Sequence, residues 1–259
     1  MVRSGLGFDS VRGLLGPLAT RLLVARAGEV GNRLRARLLG DGLGRPPRRG
    51  PLRPLRQRKQ VRELGLLAPV TRALVIVDIQ NDYFVGGAHP LKGPEAAAAS
   101  ARRLLAGFRA AGDPVFHVRH VWDEEDATFM RPGTEGVEIN ERVAPLEGEA
   151  VISKEHPNSF RDTALESELR AAGVDELVVC GMMTSMCVDA TVRAAVDLGF
   201  ETAVVHDACA TCDLEFGGQL VPAAAVHAAF LAALGDGYAA VVSTDDIVNA
   251  TGGPLPPRS

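Results

Sequence analysis

The chain has 259 residues, 46% of them hydrophobic and 23% charged, with a formal net charge of −4. No run approaches the ~18 consecutive apolar residues of a membrane-spanning helix, which excludes that class. The small net charge hides a sharp partition. Residues 1–70 hold 14 arginines and Lys59 against four acids, a net +11, whereas residues 71–259 hold 13 basic and 28 acidic residues, a net −15.

The chain therefore reads as a basic extension, residues 1–70, followed by one domain, residues 71–259, long enough for a single core. Pro46, Pro47, Pro51 and Pro54 among arginines read as an unpacked linker. Residues 11–40 have the pattern of a basic amphipathic helix, interrupted by Gly13, Gly16, Pro17, Gly28 and Gly31. The favoured reading of the extension is disorder, including an upstream misreading of the gene start. Binding of nucleic acid or an anionic membrane and an Arg-rich targeting role are the competing ones.

From Ala73 the chain alternates strand and helix. Ala73 to Val77 is a continuous apolar run, the pattern of a strand buried on both faces, and Asp78 follows it. Pro94 to Ala111 is an Ala-rich helix, Val115 to Val118 a strand, and Ala150 to Ser153 a short strand ending on Lys154. Thr163 to Ala172 is a helix, Leu177 to Cys180 a strand, and Val188 to Leu198 a helix opened by Cys187. Thr202 to His206, Val221 to Leu234 and Ala239 to Val242 add a strand, a helix and a strand. Gly112, Gly173 and Gly199 fall where helix C-caps are expected. Helices between apolar strands predict an α/β fold of three layers, α/β/α, with a mostly parallel, doubly wound, Rossmann-like sheet.

In such a sheet ligands bind beyond the carboxyl ends of the strands, so Asp78, Lys154 and Cys187 are expected to converge. An acid, an ammonium and a thiol suit covalent catalysis, because a thiol must be ionised or paired with a base to attack at neutral pH. Each has an ordinary alternative: a strand-end Asp caps turns, a lone Lys is a solvated surface group, and a free Cys packs as a small hydrophobe. Their conjunction favours the chemical reading. Cys180 reads as buried and inert, while Cys209 and Cys212, a C-x-x-C without a second pair, read as free thiols near the pocket mouth rather than half of a zinc site. Four cysteines without a secretory leader pattern lead to the expectation of a reducing, cytoplasmic location.

These residues carry a resemblance. Asp78-Ile79-Gln80-Asn81-Asp82, Lys154 followed by Asn158-Ser159-Phe160, and Gly181-Met182-Met183-Thr184-Ser185-Met186-Cys187-Val188-Asp189-Ala190-Thr191 resemble the isochorismatase-like cysteine hydrolases, which include nicotinamidases, N-carbamoylsarcosine amidases and streptothricin hydrolases. Arg193 to Ala195 and Asp207 to Thr211 extend the match. The resemblance implies Cys187 as nucleophile, Asp78 as general base and acid, and Lys154 as the cation that supports both. It also implies an oxyanion hole of the Met183 and Cys187 backbone N–H groups, exposed by a cis Met182–Met183 peptide, and a homo-oligomeric enzyme. Beside Lys154 the Cys187 thiol is expected to have a lowered pKa.

Gln80, Phe84, Trp122 and Ser185 are the candidate substrate contacts. Ser185 departs from the family, whose members commonly carry His two residues before the nucleophile. Trp122, with Phe129 and Met130, lies in the long, acid-rich stretch Trp122 to Glu149, which reads as a lid or a solvated loop. The Asp-x-His order of metal-dependent nicotinamidases is missing after the second strand, and an i, i+3 pair such as His117 and His120 faces opposite ways in a strand. No metal and no cofactor are expected. The implied activity is hydrolysis of a C–N bond in a small amide, lactam or carbamoyl compound. Isochorismate-type vinyl ether hydrolysis, which dispenses with the cysteine, and a catalytically idle fold that binds through the basic arm are the alternatives.

Overall fold

A computed structural model describes residues 71–249 and Leu255. The expectations placed on residues 1–70 lie outside the described residues. Six parallel strands form the central sheet in the order β3-β2-β1-β4-β5-β8, with β1 at Thr71–Val77, β2 at Val115–His120, β3 at Ala150–Lys154, β4 at Val174–Met182, β5 at Glu201–Ala210 and β8 at Ala240–Val242. A separate antiparallel hairpin joins β6 (Leu214–Phe216) to β7 (Gln219–Val221). Five α-helices accompany the strands: α1 (Pro94–Ala111), α2 (Leu165–Ala171), α3 (Asp189–Asp197), α4 (Ala223–Gly237) and α5 (Thr244–Val248).

The apolar run Ala73 to Val77 is at most 1% exposed, as a strand covered on both faces requires. Leu177 to Val179 beside it are fully buried, and α1 turns Ala97, Ala98, Ala101, Leu104 and Leu105 onto the same core. Helix α1 packs with α5, and α3 packs with α4, giving the helical layers that flank the sheet. The three anticipated capping glycines all take positive φ: 71° at Gly112, 68° at Gly173 and 88° at Gly199.

Two elements differ from the sequence reading in a way that matters to the site. Strand β5 runs to Ala210, four residues past His206, after a register irregularity against β4 between Val179 and Gly181. Before α3 the chain makes a π-helical turn over Thr184–Val188, a wide turn that is frequent at functional sites. The stretch after Trp122 is pinned rather than loose. It holds 3-10 turns at Glu135–Val137 and Glu141–Val143 and an isolated bridge between Ile139 and Gln80.

At the junction of β1 and β4 the backbones nearly touch. Val77 pairs with Gly181, and a Cβ on Gly181 would stand 1.9 Å from the Val77 carbonyl oxygen. Only glycine fits there, at φ 136°. This approach brings the turn after β4 over the residue after β1, at the point where strand order reverses and ligands are bound in open α/β sheets.

Candidate active site

Four strand ends supply the site: Asp78 follows β1, His120 ends β2, Lys154 ends β3, and the π-turn carrying Cys187 follows β4. Asp78 continues the β1–β2 ladder through its N–H to Val118 O at 2.9 Å and then turns sharply, at φ 50°. Few residues other than glycine take that left-handed conformation; Asp is among those that do, and it is a recurrent feature of functional sites. Its side chain is wholly buried.

The Lys154 ammonium lies at the centre. Its Nζ is 2.6 Å from Asp78 Oδ2, 3.0 Å from His120 Nδ1 and 3.3 Å from Cys187 Sγ. An ammonium has three protons, so three acceptors can be served at once. Burial alone would lower the Lys154 pKa, but the Asp78 carboxylate and Cys187 outweigh it and hold the pKa above its ordinary value. Neither Asp78 oxygen meets a well-aligned hydrogen bond, because the ammonium is close but off line. Buried oxygens without an aligned donor are costly, and the Lys154 charge offsets that cost here.

The Cys187 thiol behaves differently from the expectation. Burial, then the Asp78 carboxylate, push its pKa well above the ordinary thiol range, and Lys154 pulls the other way without prevailing. The resting group is therefore a protonated thiol, not a preformed thiolate. Lysine proximity is the part of the environment visible in sequence; desolvation and the neighbouring carboxylate are not.

Met183 precedes the π-turn, and the Met182–Met183 peptide is cis. Its carbonyl accepts the N–H groups of Met186 and Val188, both at 3.1 Å, passing over that of Cys187 between them. The Thr184 hydroxyl lies 2.9 Å from His227 Nδ1, and Ser185 Oγ is 2.8 Å from Thr211 Oγ1, so the turn is tied to α4 and to the end of β5.

Two of the candidate substrate contacts, Gln80 and Phe84, and Met130 of the stretch after Trp122 are committed to other contacts. Gln80 is fully buried and holds backbone: its Nε2 donates to His120 O at 2.8 Å and Val137 O at 2.7 Å, and its Oε1 accepts from His120 N at 2.8 Å. Phe84 sits beneath the Arg142 guanidinium, 5.7 Å from its ring centre. It lines a cavity of about 430 Å³ with Asn81, Glu95 and Glu135, to which neither Asp78, Lys154 nor Cys187 contributes. Met130 is fully buried, and its N–H is bound by the Asp82 carboxylate. Trp122 and Phe129 remain half-buried, edge to face at 5.4 Å, and join His89 and Tyr83 in an aromatic cluster.

Two residues of the site have no role assigned by the sequence reading. Tyr83, 2% exposed, has its phenol pKa raised first by burial and then by the charges of Cys187 and Asp78. His120 is the second. Its register partner is Lys154, a relationship that only the pairing of β2 with β3 reveals. His117, three residues earlier, faces away to Glu149 at 2.9 Å. Of the C-x-x-C thiols, Cys209 is buried and only Cys212 is half-exposed.

Asp78, His120 and Cys187 could in principle ligate a metal, since their donor atoms lie within 4.8 Å of one another. The donor set does not fit one while Lys154 is in place. Zinc would need bonds of about 2.0–2.3 Å to these atoms, and the ammonium stands among them, bringing its own positive charge.

The isochorismatase domain model matches residues 72–246. The chain is 54% identical over 176 residues to the uncharacterized isochorismatase family protein YddQ of Bacillus subtilis, covering 68% of this chain and 98% of that one. It is 41% identical over 170 residues to a streptothricin hydrolase of Streptomyces noursei, covering 64% of this chain and 60% of that protein. Among solved structures, an isochorismatase-family hydrolase from Oleispira antarctica aligns with a TM-score of 0.69 at 52% identity, over 71% of this chain and 99% of that one. The chain belongs to the isochorismatase family and is a hydrolase.

Proposed function

We propose that the enzyme cleaves a C–N bond in a small amide, lactam or carbamoyl compound through a covalent adduct on Cys187. The observation that carries this reading is the buried Lys154 ammonium bridging the Asp78 carboxylate and the Cys187 sulfur. A protonated thiol beside an open carboxylate is arranged for attack with concerted proton removal. The Cys187 sulfur bonds to the carbonyl carbon as its proton passes to Asp78, and the carbonyl π pair becomes an oxyanion. Collapse breaks the C–N bond while Asp78 returns the proton to the leaving nitrogen. Water then attacks the thioester, giving a proton to Asp78, and sulfur leaves and is reprotonated. Lys154 stays charged throughout and stabilises the thiolate character of each step.

The Met183 and Cys187 N–H groups serve as oxyanion donors in this reading, and each such donor is worth roughly two to three orders of magnitude in rate. A maleamate amidohydrolase and a ureidoacrylate amidohydrolase among the relatives support amide-type chemistry, and four free thiols suit a reducing compartment. Vinyl ether hydrolysis would leave the bridged cysteine without a role. The test is a panel of amides, lactams and carbamoyl compounds assayed for released amine or ammonia with wild type and Cys187→Ala. Release that Cys187→Ala retains at the wild-type rate refutes the reading.

A further inference from the structure

His120 is not a member of the Asp78, Lys154 and Cys187 set, yet it is held as rigidly as they are. Its backbone N–H and carbonyl are both bound by the Gln80 side chain at 2.8 Å, and Gln80 is anchored in turn to Val137. Its Nδ1 lies 3.0 Å from Lys154 Nζ. An ammonium can only donate, so Nδ1 must offer its lone pair, and a neutral imidazole with a bare Nδ1 carries its proton on Nε2. Among the described residues the ring's one hydrogen bond is the one from Nδ1 to Lys154, so Nε2–H is unpaired, and the ring is only partly buried. A donor is thus left open on the ring that shares the Lys154 ammonium with the Cys187 sulfur.

We propose that His120 is a specificity-determining residue whose Nε2–H donates a hydrogen bond to an uncharged oxygen acceptor, a carbonyl or hydroxyl, on the acyl part of the substrate. The proposal rests on the amide-hydrolase reading above and deepens it. The groups that act on the ring favour the neutral form: burial first, then Lys154, drive its pKa down to about 4, with His156 adding to them and Asp78 opposing. At neutral pH the imidazole is an uncharged donor. An anionic acceptor is disfavoured because Asp78 already supplies the one carboxylate that Lys154 balances, and four consecutive acids, Asp123 to Asp126, follow β2 in exposed positions.

The two ring nitrogens can be tested apart. In His120→Asn the amide oxygen takes the place of Nδ1 and keeps an acceptor for Lys154, while the distal donor is lost. His120→Leu loses both. With a pair of amide substrates that differ by one acyl oxygen, His120→Asn is expected to raise the ratio of KM for the oxygen-bearing member to KM for the other about tenfold. A tenfold change is what one neutral hydrogen bond supports. His120→Leu is expected to lower kcat for both. Equal KM ratios for the pair in wild type and His120→Asn overturn the proposal. Nitrogen-15 spectra of labelled histidine in the full chain, without substrate, give an independent reading: the neutral Nε2–H tautomer of His120 at pH 7 is expected, and an imidazolium or Nδ1–H form refutes the proposal even if the enzyme proves to cleave amides. Failure of wild type to release amine from any substrate, with the Nε2–H tautomer present, instead falsifies the amide-hydrolase reading on which the proposal is built.

Discussion

Lys154 and Asp78 form an ion pair of 2.6 Å with neither side chain exposed to solvent. Water does not help to stabilise either charge, so each depends on the other and on the surrounding dipoles. Removing one partner of a buried pair typically costs about 3–5 kcal/mol, because the remaining charge is stranded. Lys154→Met is therefore expected to lower the melting temperature as well as to abolish turnover. Thermal denaturation at pH 7 checks it, and an unchanged melting point would show that the pair is not a charged one.

Asp78→Asn separates thiol ionisation from catalysis. In wild type the carboxylate is a cause that raises the Cys187 pKa and Lys154 is the cause that lowers it. Replacing the carboxylate by a neutral amide removes the first and leaves the second, so the thiol pKa falls and more thiolate is present at neutral pH. The variant is expected to react faster than wild type with iodoacetamide at pH 7 while losing at least about a thousandfold in turnover, since no group remains to carry the proton. Intact mass after timed alkylation measures the first and product release the second. Slower alkylation of the variant would contradict the assigned electrostatics.

Metal independence follows from the position of the ammonium. Exhaustive chelation is expected to leave the activity of wild type unchanged. Lys154→Ala vacates the centre of the Asp78, His120 and Cys187 triangle, and that variant is expected to bind cobalt(II) with a thiolate-to-metal absorption band that wild type lacks. Loss of wild-type activity on chelation, restored by zinc, would reverse the assignment.

Away from the site, Glu149 clamps α1 to the sheet. It takes Arg109 Nε and Nη2, each at 2.7 Å, together with His117 Nε2 and Leu146 N–H. The Arg109 hydrogen bond is the main cause that lowers its pKa to about 2. A depressed carboxylate pKa contributes stability that is present above the unfolded value and is lost as pH falls through the folded value. Glu149→Gln is expected to cost ~1–2 kcal/mol at pH 7 and progressively less between pH 4.5 and about 2. Urea denaturation across that range tests it, with a constant difference as the contrary result.

Much of the fold and the core of the site are legible in the amino-acid order. The uninterrupted run Ala73 to Val77 specifies a doubly covered strand, and a reactive residue at its end, repeated at Lys154 and Cys187, specifies a common pocket. What stays hidden depends on three-dimensional neighbours. Gln80 reads in its motif as a substrate contact, and the backbone bonds that its amide makes to His120 and Val137 come only from three-dimensional neighbours. Met130 lies in a stretch that looks like a loop, but Asp82 draws its backbone into the core. The direction of the Cys187 pKa shift turns on desolvation, to which spacing is blind. In sequence His120 is weighed only with His117 as a metal-ligand pair and set aside, because its real partner, Lys154, is 34 residues away.

The account stands most directly on the sulfur of Cys187. Rapid-quench intact-mass measurement during turnover of an amide substrate should show wild type gaining the acyl mass, localised to Cys187, at the rate at which the first equivalent of amine is released. Cys187→Ala should gain no mass and release no amine. Release of amine without any adduct on wild type, or with the adduct on Cys209 or Cys212, would contradict the account.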